Sequence, residues 1–123
     1  MANPNKGEVS LVAGDTTYTL RFTTNAICAL EELLGGRTIT QIGNELNSTE
    51  GMQMATARAV VWAALLDRHP DVEVLDAGDI MTVAGIKTAL EAAGRAFQLA
   101  FPADGQDARG EGEGARPSKA KAG

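Results

Sequence analysis

The chain has 123 residues, a net charge of −5 and 44% apolar side chains, enough for one domain and short for two. Its longest strictly apolar run, Ala59–Leu66, falls far below the roughly 20 residues that span a bilayer, and Met1–Gly7 lacks the apolar stretch of a secretory signal. One cysteine (Cys28) and one histidine (His69) exclude an internal disulfide and a Cys/His zinc site.

A hairpin comes first. Val9, Leu11 and Val12 precede Gly14-Asp15, and Tyr18, Leu20 and Phe22 then alternate with Thr17, Thr19 and Arg21. Period-two alternation predicts a strand with one buried face. A two-residue turn at Gly14-Asp15 sets Leu11 opposite Tyr18 and Val9 opposite Leu20, so both apolar sets share a face. A two-stranded ribbon is marginal alone, so this face must rest on helices.

The remainder reads as helical. Asn25 or Thr24 is the expected cap of a first helix with Ala26, Ile27, Leu30, Leu33 and Leu34 in one stripe, ended by Gly35-Gly36. Thr38 and Gln41 form a capping box for a short helix carrying Ile39, Ile42 and Leu46. Gly43 within it either permits a close helix crossing or simply weakens the element.

A long helix is expected from Ser48 or Thr49 to His69, stopped by Pro70. Its stripes are Val61, Ala64 and Leu65, and Ala55, Ala59, Trp62 and Leu66; apolar nearly all round, it should be central. Asp71 is the expected cap of a fourth helix with Val74, Ala77, Met81 and Ala84 inward. Gly85 separates it from a fifth, striped by Ile86, Leu90, Ala93, Phe97 and Phe101 and stopped at Pro102.

Every large apolar residue lies before Pro102. Asp104–Gly123 is rich in glycine and in charges of both signs, a composition that does not build a core. The expected organisation is a flexible N-terminus over residues 1–7, one domain over 8–102 and a disordered, low-complexity tail over 103–123. The fold class is mainly α within α+β: an N-terminal β-hairpin packed on a bundle of about five helices.

Residues 1–101 hold seven Lys/Arg against twelve Asp/Glu, and so carry the whole −5 charge. An acidic domain repels phosphate backbones, so no nucleic-acid partner is expected.

Few residues suggest chemistry. Asp67 and Asp71 flank His69, but a solvated helix end accounts for that histidine. Glu31-Glu32 and Asp76 with Asp79 read as solvated acidic faces. Gly110–Gly114 has alternating glycines without the lysine and helix of a phosphate loop. Cys28 and Trp62 read as packing residues. No catalytic residue, metal site, cofactor or small-molecule substrate is expected, and the protein reads as a non-enzyme. Partner binding is the better use of the chain, with Met52, Met54, Ile80 and Met81 as candidate contact residues, since methionine adapts to irregular apolar partners.

The stretches Asn3-Pro4-Asn5-Lys6-Gly7-Glu8-Val9, Tyr18-Thr19-Leu20-Arg21-Phe22-Thr23-Thr24-Asn25-Ala26 and Cys28-Ala29-Leu30-Glu31 resemble the small tail-assembly protein family of gene transfer agents and related siphophages. That family has been labelled both tail assembly chaperone and tail tube protein. Ala55–Leu66, Asp76–Asp79 and Ala96–Pro102 also fit, so the resemblance covers about residues 3–102.

It implies a role in phage-like tail morphogenesis in the cytoplasm of a bacterial host cell. The partner would be the tape measure protein or other tail proteins, with self-association left open. A chaperone would shield the aggregation-prone tape measure rod before the tail tube polymerises. The alternative is a structural tail component retained in the particle. A tube subunit should have a β-rich, ring-forming body, and one hairpin favours the chaperone. An enzyme resting on His69 and the acidic pairs is a third reading, which unchanged function in His69→Ala would dispose of.

Overall fold

The computed structural model describes residues 2–48 and 52–101. Asn5 donates its N–H to the Asn3 side chain at the head of a 3-10 turn over Pro4–Lys6. Asn3 in turn donates its own N–H to Glu8 Oε1 at 2.9 Å. Residues 3–7, in the segment expected to be flexible, thus form a defined turn. Arg68 anchors its far end by pairing with Glu8, which is only 4% exposed.

Strands β1 (Val9–Ala13) and β2 (Thr16–Leu20) pair antiparallel, Val9 with Leu20 and Leu11 with Tyr18, the expected register. Gly14 turns at φ 64°, a conformation glycine adopts without penalty. Leu11, Ala13 and Leu20 are buried, and Val9 and Tyr18 pack at the margin of the same core. Ser10, Val12 and Thr17 face outward and are exposed.

Helix α1 (Thr24–Leu33) is capped by Thr23, not Thr24 or Asn25: its Oγ1 accepts the Ala26 N–H at 3.0 Å. A cap residue needs extended backbone, and Thr23 is the last residue before α1 that has it (φ −106°, ψ 170°). Ala26, Ile27 and Leu30 are buried and Leu34 is partly so. Leu33 is 47% exposed, about 60° round the helix from Leu30 where Leu34 is about 40° away. Gly36 and Gly35 donate to the Glu31 and Glu32 carbonyls at 2.8 and 3.3 Å, the crossed pair that ends a helix at a left-handed glycine.

Helix α2 (Ile39–Ser48) starts at the expected box. Thr38 N–H donates to Gln41 Oε1 at 2.9 Å, and Gln41 N–H to Thr38 Oγ1 at 3.2 Å. Ile42 and Leu46 are buried.

Helix α3 (Met54–Leu65) is central, packed against α1, β2 and two later helices. Its start is later than expected, since Ser48 closes α2 and Thr49 lies outside the described residues. Its end is earlier than His69. The chain tightens as Leu66 N–H bonds the Ala63 carbonyl, and the released turn sends Arg68 and His69 to the hairpin. Trp62 is half-buried rather than enclosed, and donates its indole N–H to the Val72 carbonyl at 3.1 Å.

Helix α4 (Val74–Ala84) is capped two residues after Asp71, with Glu73 N–H donating to Asp76 Oδ2 at 2.9 Å. Its two stages of approach, a turn at 69–72 and then the cap, leave Asp71 exposed. Ala77, Ile80 and Met81 are buried, while Val74 and Ala84 are only partly so. A Cβ on Gly78 would lie 3.1 Å from Arg58 Cδ, so the Arg58 stem crosses α4 at this glycine.

After Gly85, helix α5 (Ile86–Ala100) buries Ala89, Ala93, Ala96 and Phe97. The inner face is centred on the alanines rather than on Ile86 and Phe101, which are 40% and 38% exposed. Phe97 packs edge-on to Phe22 with centroids 5.5 Å apart. It also sits so close to Gly43 that a Cβ there would lie 3.0 Å from Cε2. Gly43 therefore permits the close α2–α5 crossing. Pro102 and the tail expected to be disordered lie outside the described residues.

Candidate interaction groove

His69 and the acidic residues near it lie at the hairpin end of the bundle. His69 is half-buried, not a solvated helix end. Its Nε2 accepts the Thr19 N–H at 3.2 Å, and its ring stands edge-on to Tyr18 with centroids 5.2 Å apart. An accepting Nε2 places the proton of the neutral ring on Nδ1, and burial holds its pKa below the ordinary 6.5. Asp67 turns away to Arg21 at 3.4 Å and Arg68 Nε at 3.6 Å. Asp71, Asp76 and Asp79 share a hollow of about 580 Å3 with His69 and Tyr18. Among the described residues no three His, Cys, Asp or Glu are arranged to hold a metal ion. Among those residues no helix is long and apolar enough to cross a membrane.

Cys28 is exposed, not packed. It lies about 160° round α1 from the fully buried Leu30, a position that adjacency to Ile27 in the sequence disguises.

The four candidate contact residues divide. Ile80 and Met81 belong to the core, at 8% and 2% exposure; Ile80 reaches only the edge of the Tyr18–His69 hollow. The cause is the inward rotation of α4 through Ala77, which brings the positions three and four residues later under α3. Met52 packs partly against the core, and Met54 is 57% exposed at the first position of α3.

Beyond the Gly43–Phe97 crossing, α2 and α5 leave an open groove of about 560 Å3. Leu46, Ile86, Leu90 and Gly94 supply its apolar lining. Lys87, Glu91 and Arg95 add both charge signs, with Gln98 at its end. Arg37 joins the start of α3 to this region: it donates to Thr56 Oγ1 at 3.3 Å and pairs with Glu45 on α2. Met54 itself is not among the residues that line the groove.

Of the expected core stripe, Leu90 packs partly against the core, whereas Ile86 is exposed to this groove. The available signal was the pair of small residues, Gly43 and Gly94. A glycine at a crossing lets two helices touch, and a glycine beyond it leaves a gap. Chemically the groove can bind an apolar ridge flanked by charges.

No family model matches the chain, and no curated protein or solved structure matches it either.

Proposed function

We propose that the protein is a non-catalytic assembly chaperone of a phage-like tail, which shields the tape measure protein before the tube polymerises. The observation that carries this reading is the α2–α5 groove. An amphipathic client helix binds by laying an apolar face into such a groove, read as anchors three and four residues apart. Ile86 and Leu90 would receive those anchors over a floor at the buried Leu46, while Lys87, Glu91 and Arg95 would meet charges of either sign on its flanks. The resemblance of residues 3–102 to the tail-assembly family supplies the identity of the client. The same reading makes the protein cytoplasmic.

Co-expression with the tape measure protein is the test. The chaperone should keep it soluble and co-elute with it, and Ile86→Glu should abolish both effects. Ile86 is partly exposed in the first turn of α5, where a carboxylate suits the helix dipole, so this variant should stay folded. No complex and no gain in solubility would overturn the proposal. Stoichiometric recovery of the protein from purified particles by mass spectrometry would favour a structural tail component instead.

A further inference from the structure

The two outer edges of the hairpin differ. In an antiparallel pair, residues at non-hydrogen-bonded positions turn their N–H and C=O groups away from the partner strand. With the two-residue turn closing on Ala13 and Thr16, those residues are Thr17 and Thr19 on β2, and Ser10 and Val12 on β1. The helices take up the β2 edge: Thr19 donates to His69 Nε2, and Arg21 just beyond donates to the Ala64 carbonyl at 2.8 Å. Ser10 and Val12 are exposed, and among the described residues their backbone groups make no backbone hydrogen bond outside the hairpin. Open edges are usually blunted by lysine, proline or a bulge. Val9–Ala13 has no charge and no proline, and Val12 leaves 59% of its surface in solvent.

We propose that the β1 edge is a self-association site, at which β1 of a second copy pairs antiparallel across a two-fold axis to build a four-stranded sheet. The edge is self-complementary, as an isologous contact requires. An axis at Leu11 sets Ser10 of each copy against Val12 of the other, and each of these two pairs exchanges its N–H and C=O groups. It also brings the start of each strand beside the turn of the other. Exposed Lys6 of one copy then approaches exposed Asp15 of the other, twice. Glu8, the acid at the strand's start, is already engaged by Arg68. A parallel pairing would instead oppose Lys6 with Lys6 and Asp15 with Asp15. One strand edge buries less than the roughly 1,200 Å2 of a standard stable interface, so the dimer forms only at high concentration. This inference does not rest on the chaperone reading.

The test is sedimentation velocity of the full chain over a concentration series, paired with amide exchange. A dimer should grow in with concentration, and the Ser10 and Val12 amides should become protected in parallel. Ser10→Pro removes an edge donor, and Val12→Lys places two like charges at the seam. Each should weaken dimerisation about tenfold or more, with helical circular dichroism retained. Thr17→Lys, on the same face but on β2, should leave it unchanged. A monomer at every concentration would overturn the proposal, as would a dimer insensitive to both edge variants. Protection of Ser10 and Val12 that does not depend on concentration would also overturn it, because the chain would then cover its own edge.

Discussion

His69 Nε2 accepts the backbone N–H of Thr19 at 3.2 Å across a separation of 50 residues. Only a neutral imidazole can do so. Burial already holds this ring below the ordinary pKa of 6.5, so the unfolded chain binds the proton more readily than the folded one. The stabilisation is present above about pH 6.5 and is lost as pH falls through the lower folded value. The charged neighbours Arg68 and Asp71 and the nearby Asp76 and Asp79 line the same hollow. His69→Gln retains an acceptor and cannot titrate. Its stability should be flat where the wild type declines on acidification, as read by urea melts at stepped pH. An unchanged slope would show that other groups set it.

A second acid-sensitive contact lies lower in pH. The hydrogen bond from Asn3 N–H holds the Glu8 carboxyl below 4.5, against the opposing effect of burial, and Arg68 and Lys6 assist. The carboxylate therefore contributes stability above about pH 4.5, lost as pH falls through its depressed folded value. Glu8→Gln should lower the melting temperature at neutral pH and flatten this acid limb, leaving the His69 range untouched.

Phe97 sits between Phe22 and Gly43. Phe97→Ala should cost about 3–5 kcal/mol. Gly43→Leu should cost about 1–3 kcal/mol by overpacking. The two together should be non-additive, because truncating the ring makes room for the leucine. Chemical denaturation of the four proteins measures the cycle; strict additivity would separate α2 from the ring.

Thr23→Ala should cost about 1 kcal/mol through loss of the Ala26 N–H acceptor. Thr24→Ala and Asn25→Ala should be nearly neutral, since both side chains are exposed. The ranking by thermal melts checks which residue caps α1.

Exposed Cys28 should react with a thiol reagent in the folded protein at a rate close to that of the unfolded chain. Strong protection measured with a chromogenic disulfide would return it to the interior.

Local pattern is enough for the hairpin register, the Thr38–Gln41 box, the Gly35-Gly36 stop and the break at Gly85. In each case the deciding groups lie within a few residues of one another. The groove is less legible. Ile86 carries the apolar spacing of a core face with Leu90, and nothing local says that α5 centres its inner face on alanines and leaves Ile86 outside. Ile80 and Met81 fail as surface candidates for the reciprocal reason.

The sequence by itself determines a hairpin followed by five helices, because periodicity, caps and glycine stops act over single turns of chain. Composition also confines the large apolar residues and the whole −5 charge to the first 101 residues. Tertiary structure decides which face of each helix is inside. Ten of the buried apolar residues are alanine, and an alanine face is indistinguishable from a neutral one until two helices approach closely enough to need it. The same approach distances determine where the helices part, leaving the α2–α5 groove, and which edge of the hairpin exchanges hydrogen bonds with the bundle, leaving the outer backbone groups of β1 free to pair.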